Sequence, residues 1–140
     1  MEWIELKEGF FIRLDRGEEV IGTLTEFAKK RGLLAGFIQG IGGIGNVTLG
    51  YFDREEKKYT KKTLAGNFEL VSLLGNISLL RDEPFIHAHA VVSGPDFGAL
   101  SGHLFSAEIT LTGEFLLRPI SRGIQRHPDP ETGLNLLCLK

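Results

Sequence analysis

With 140 residues, 42% of them hydrophobic and 24% charged, the chain is long enough for one domain with its own core, and too apolar for a disordered segment. Its formal net charge of −2 lacks the lysine and arginine surplus that a general coat on DNA phosphates needs, although a local basic patch stays open. A single cysteine, Cys138, excludes an intrachain disulfide, and no apolar run is long enough to span a bilayer.

Phe10–Leu14 reads as a first strand, broken by Asp15-Arg16-Gly17. One clear helix follows, from Glu18 to about Arg31. Val20, Ile21, Leu24, Phe27 and Ala28 recur at helical spacing, acidic Glu18 and Glu19 lie at its positive end, and Lys29, Lys30 and Arg31 lie at its negative end before Gly32. Leu33–Gln39 is an apolar run, expected as a buried strand. Gly40–Gly45 is expected as a turn, and Val47–Phe52 alternates as a strand does. Tyr59–Leu64 is a more polar strand suited to an edge, with Lys61-Lys62 as a guard against edge pairing. The mixed-sign run from Arg54 to Lys58 before it reads as a solvated loop. Phe68–Leu80 is expected as β structure interrupted at Gly75-Asn76. Phe85–Val92, Leu100–Phe105 and Ile109–Leu117 are further strands, and the tail from Pro119 is rich in turns until Leu134–Leu139. With no repeat or linker, the chain is expected to be one domain over 1–140. Its fold class is α+β, a mostly antiparallel sheet with one main amphipathic helix.

Three of the four histidines carry the chemical signal. His87 and His89 are two apart on one strand, so both imidazoles leave the same face. Between them and His103 lies Ser93-Gly94-Pro95-Asp96-Phe97-Gly98, a strong turn signal. A hairpin closed over Gly94–Gly98 sets His89 directly across from His103, whereas a slip of one residue would throw His103 to the opposite face. Three neutral imidazoles with one open position suit zinc. Iron, nickel or another divalent transition ion would be held by the same set, and half-buried histidines on a polar sheet face are the alternative. No carboxylate adjoins them in sequence, although Glu69, Glu108 and Glu114 on other strands could approach. His127, in the tail, is expected to face solvent.

Other motifs are weaker. Gly40-Ile41-Gly42-Gly43-Ile44-Gly45 matches the dinucleotide fingerprint G-x-G-x-x-G, but Asn46-Val47-Thr48-Leu49 continues it as a strand. No helix N-terminus is there to meet a pyrophosphate, so no cofactor-binding residue is assigned. Ser101 lacks the first glycine of a nucleophile elbow, and no catalytic residue is assigned. Cys138, among leucines, is expected in the core. The chain does not open on a basic start followed by an apolar core, and cytoplasmic location is the expectation.

Several separate segments resemble the plants-and-prokaryotes conserved (PPC) domain family in its prokaryotic single-domain form. They are Gly32 to Phe52 (GLLAGFIQGIGGIGNVTLGYF), Gly66 to Leu74 (GNFELVSLL), Phe85 to Leu104 (FIHAHAVVSGPDFGALSGHL) and the tail RHPDPETGLNLL. The resemblance implies a large antiparallel sheet, assembly as a homotrimer, and a zinc or related metal site at the histidines matching His87, His89 and His103. It also raises DNA as a partner. The plant members attach the domain to Arg-Gly-Arg-Pro segments that bind DNA, and this sequence contains none. Where the plant domain has a Gly-Arg-Phe-Glu-Ile-Leu contact motif, Gly66-Asn67-Phe68-Glu69-Leu70-Val71 stands here, with Asn67 in place of the arginine. The expected functions are therefore a metal-bearing trimer that binds or transforms a small molecule, a regulatory module acting through protein or DNA contacts, or a trimer whose metal only stabilises the fold.

Overall fold

In a computed structural model that describes residues 1–139, the chain runs as β1 (Glu2–Leu6), β2 (Gly9–Leu14), α1 (Val20–Lys30), β3 (Gly36–Asp53), β4 (Lys58–Leu80), β5 (Glu83–Ser93), β6 (Ala99–Pro119), β7 (Arg126–Pro128) and β8 (Asn135–Leu137). All pairings between these strands are antiparallel. The main sheet has the order β1-β2-β6-β3-β4-β5, and β5 also pairs with the start of β6. The sheet therefore curls through β3, β4 and β5 back onto β6. β7 and β8 form a small separate hairpin.

The helix is specified as its sequence suggests. Val20, Leu24, Phe27 and Ala28 are its buried stripe. Its first turn is capped by Glu19, whose carboxylate accepts from the backbone N–H groups of Ile21 and Gly22 and also from that of Ala107, 3.2 Å away on β6. One side chain thus closes the helix start and ties it to the sheet. At the other end Gly32 has φ +64, and Leu33 N–H returns to the Ala28 carbonyl. The stripe packs with Ile12, Leu14, Ile38, Leu73, Ile77, Ala88, Ala90, Leu104, Ile109, Phe115 and Leu117 in one core on the concave side of the sheet.

Three expectations are corrected. Gly40–Gly45 is not a turn but the middle of β3, with register shifts at Gly40/Gly42 and Gly45/Val47. A Cβ on Gly40 would strike the buried ring of Phe115, one on Gly42 the Thr112 carbonyl, and one on Gly43 the Leu111 side chain at 2.9 Å. These glycines let β3 and β6 approach and let the core ring lie flat against the backbone. Gly75-Asn76 likewise lies inside β4, because a side chain on Gly75 would meet the His87 carbonyl at 2.6 Å. Cys138 is exposed rather than in the core. The strand β1 carries no sequence signal. Its five residues are all exposed, it pairs on one side only, and it is anchored by Trp3 stacking edge-on against Phe10 and Phe27.

Candidate metal centre

The triad is built by strand register. His87 and His89 lie two apart on β5 and His103 pairs directly with His89 across the β5–β6 ladder. The hairpin that fixes this register is closed by Phe97 N–H donating to the Gly94 carbonyl and by Asp96 accepting from Gly98 N–H. Opposite residues in an antiparallel ladder share a face. Lys61, Gly50, His103, His89 and Leu74 therefore form one lateral row over β4, β3, β6, β5 and the far half of β4. This row is on the outer face, opposite the helix, since Ala88, Ala90 and Leu104 between these positions are core residues.

One nitrogen from each of His87, His89 and His103 lies within 4.8 Å of the other two. Ring centroids are 5.1–5.7 Å apart, close enough for the three rings to converge on one point. Gly50 makes room beside them. A Cβ there would collide with Phe105 and meet Tyr59 at 3.0 Å, and both rings instead cover His103 at 4.6 and 5.1 Å. His103 Nδ1 is buried with no hydrogen-bond partner among the described residues. Such an atom ordinarily costs about 1–3 kcal/mol, and a bound cation would satisfy it.

The electrostatics favour neutral imidazoles at His87 and His103. Burial holds His103 at about 4, with His87, His89, Lys61 and Arg126 pushing the same way. Burial also lowers His87, followed by Arg126 and His89. Neutral rings are the form that coordinates metal, and an all-nitrogen set of three leaves a further position for water or ligand. The residues present therefore fit a zinc-like ion.

Sequence reasoning did not find the second layer of the site. Arg126, at the start of β7, is buried and reaches back to β4. Its Nε–H donates to Ser78 Oγ at 2.7 Å, one Nη to the Asn135 carbonyl at 2.8 Å and the other to Asn76 Oδ1 at 2.9 Å. That last nitrogen stands 3.5 Å from His87 Nδ1. No local pattern around Arg126 announces this, because its partners Ser78 and Asn76 lie 48 and 50 residues away in sequence. Lys61 reads in the sequence as an edge guard. It does lie on the part of β4 that β5 leaves unpaired, and its ammonium is 3.7 Å from the Phe105 ring centre beside His103. The carboxylates that could have approached are elsewhere. Glu69 and Glu108 line a cleft of about 890 Å³ that contains none of the triad, and Glu114 pairs across from Arg13 and Ile41. His127 is exposed on β7.

The sequence profile described as the Plants and Prokaryotes Conserved (PCC) domain matches residues 5–121. The chain belongs to the Plants and Prokaryotes Conserved domain family. Several solved structures share the whole fold. A candidate DNA-binding protein from Bacteroides thetaiotaomicron is 34% identical, with a TM-score of 0.95 over 98% of this chain and 96% of that one. A metal-containing protein from Archaeoglobus fulgidus is 37% identical, with a TM-score of 0.88 over the same shares. A plant- and prokaryote-conserved protein from Pyrococcus horikoshii is 34% identical, with a TM-score of 0.87 over 99% of this chain and 96% of that one. None of the curated proteins matches. No helix of the described residues is long and apolar enough to cross a membrane.

Proposed function

We propose that this family member is a homotrimeric, cytoplasmic metal-binding protein that binds or transforms a small molecule at His87, His89 and His103. The observation that carries the metal reading is the convergence of three imidazole nitrogens within 4.8 Å on one sheet face, in a setting that disfavours the charged form of His87 and His103. Zinc suits this donor set best, and another divalent transition ion would fit the same geometry. The Archaeoglobus neighbour, described as metal-containing, supports the same reading. When bound, such an ion supplies a Lewis acid at its open position, suited to polarising a carbonyl or activating water. The chain's own part is to hold the three rings aligned, and to keep those of His87 and His103 neutral. Phe105 and Tyr59 shield His103 from water, and Asn76 and Ser78 steady Arg126 beside His87.

The test is metal content per chain in untagged protein, by plasma mass spectrometry, for the native chain and for the variant with all three histidines replaced by alanine. About one zinc or related ion per chain, lost in a variant that still folds, is the expected result. A native protein that takes up no metal even after incubation with zinc would remove the reading.

A second reading is a DNA-associated or regulatory protein, which rests on the DNA-binding description of the Bacteroides neighbour. The net charge of −2 weighs against extended contact with phosphates. Retention on DNA that falls steeply with salt would favour it, and no retention at low salt would exclude direct binding.

A further inference from the structure

We infer that the molecule taken at the triad carries a small oxyanion, a carboxylate or a phosphate group, which binds between Arg126 and Lys61. The inference rests on the metal reading above and adds the class of ligand.

The two cations flank the triad on opposite sides. Arg126 stands against His87, with Nη2 3.5 Å from Nδ1. Lys61 lies over the Phe105 ring, which in turn packs on His103. Neither makes an ion pair among the described residues, where the lysines and arginines that do are Arg13, Lys29 and Lys58. Arg126 is the more telling. It is buried, and every acceptor it meets is neutral: a hydroxyl, an amide oxygen and a backbone carbonyl. Neutral dipoles replace the water a guanidinium loses but do not cancel its charge, so a buried cation of this kind is ordinarily matched by an anion.

No carboxylate answers that charge. The charged or titratable side chains that act on His103 are His87, His89, Lys61 and Arg126, those on His87 are Arg126 and His89, and the one on Arg126 is Tyr59. A divalent ion held by three neutral nitrogens would add two more positive charges between the two cations. The whole chain is nonetheless slightly acidic, so the immediate surroundings of the triad are a local reversal of its charge. A neutral ligand at the open position would leave the excess in place, whereas an oxyanion reaching the ion would meet favourable potential from both flanks. Of the five N–H groups of Arg126, three go to Ser78, Asn135 and Asn76 and one on Nη2 faces His87 Nδ1, which leaves one on Nη1 for a ligand oxygen.

The test uses protein stripped of metal and reloaded with cobalt(II), whose visible bands report its ligands. Uptake of about one cobalt per chain is measured first and checks the metal reading alone. The loaded protein is then titrated with acetate, with acetamide as its neutral counterpart of similar shape, and with inorganic phosphate. Acetate and phosphate are expected to shift the bands, acetate at about tenfold lower concentration than acetamide or less. The tighter of the two anions distinguishes a carboxylate ligand from a phosphate one. Lys61→Met, on an exposed side chain, is expected to weaken both anions about threefold or more and leave acetamide unchanged. Cobalt uptake with bands that ignore both anions at tens of millimolar overturns the inference and leaves the metal reading standing. Equal responses to acetate and acetamide, or anion affinities unchanged in Lys61→Met, overturn it as well. Failure to take up cobalt removes both readings together.

Discussion

His89 stands directly across the β5–β6 ladder from His103, with the two imidazoles nearly perpendicular and their centroids 5.7 Å apart. With His87 one step along the same face, two strands deliver all three nitrogens. Outer partners of a metal centre are worth about 10–100-fold in affinity, so loss of a ligand costs more. His103→Ala is therefore expected to lower zinc affinity by about 100-fold or more, measured by competition with a chromogenic chelator, while circular dichroism stays native. An unchanged affinity would mean that His103 is not a ligand.

The position of His103 depends on its neighbour. Gly102 faces the core side, where an added Cβ would lie 2.7 Å from the Gly50 carbonyl oxygen on β3. Backbone cannot yield as a flexible side chain does, so Gly102→Ala forces β6 away from β3. Overpacking of this kind costs about 1–3 kcal/mol. The expected outcome is a lower urea midpoint together with weaker zinc binding, because His103 moves with the strand. A loss of stability with native zinc affinity would show that the strain relaxes away from the site.

The parts of this architecture that local pattern controls were legible in the sequence. The stripe Val20, Leu24, Phe27 and Ala28 marks the helix, and parity with the Gly94–Gly98 turn sets His89 opposite His103. Glycine misled where it serves packing rather than turning. Gly40–Gly45 and Gly75 look like breaks, yet they are the places where Phe115 and the β5 backbone come close to a continuous strand. That use of glycine depends on what lies across the sheet, which no local window contains. Arg126 escaped for the same reason. Its partners Ser78 and Asn76 lie 48 and 50 residues away, and its meaning comes from that distant contact.

Burial shapes the acid response of the metal-free protein. His103 falls from 6.5 to about 4 on folding, and His87 is also lowered. Between those values the unfolded chain binds protons that the folded chain refuses. Stability is therefore full above pH 6.5, declines as pH falls through about 4, and levels off below. Urea midpoints of metal-free protein across that window are expected to fall with acid, and His103→Asn is expected to flatten part of the slope. An equal slope in the variant would assign the acid sensitivity to other groups.

The outer face that carries the triad also bears an unusual amount of exposed apolar surface. Phe37 is 63% exposed, Ile41 54%, Leu74 62% and Leu111 71%, and Leu74 is the direct ladder neighbour of His89. Single exposed apolar side chains are ordinary, but a run of large ones on one sheet face is the mark of a surface meant to be covered. Among the described residues the helix occupies the other face, and the β7–β8 hairpin reaches this one through Arg126, at Asn76, Ser78 and His87. If copies of the chain associate here as a trimer, sedimentation equilibrium is expected to give three times the 15.5 kDa chain mass at micromolar concentration. Leu74→Asp is expected to shift the protein to smaller, concentration-dependent species, since a charge buried at an interface without a partner costs several kcal/mol. Because Leu74 adjoins His89, zinc affinity measured above and below the dissociation range would then show whether assembly helps to close the metal site. A native protein that sediments as a monomer at micromolar concentration would refute the trimer.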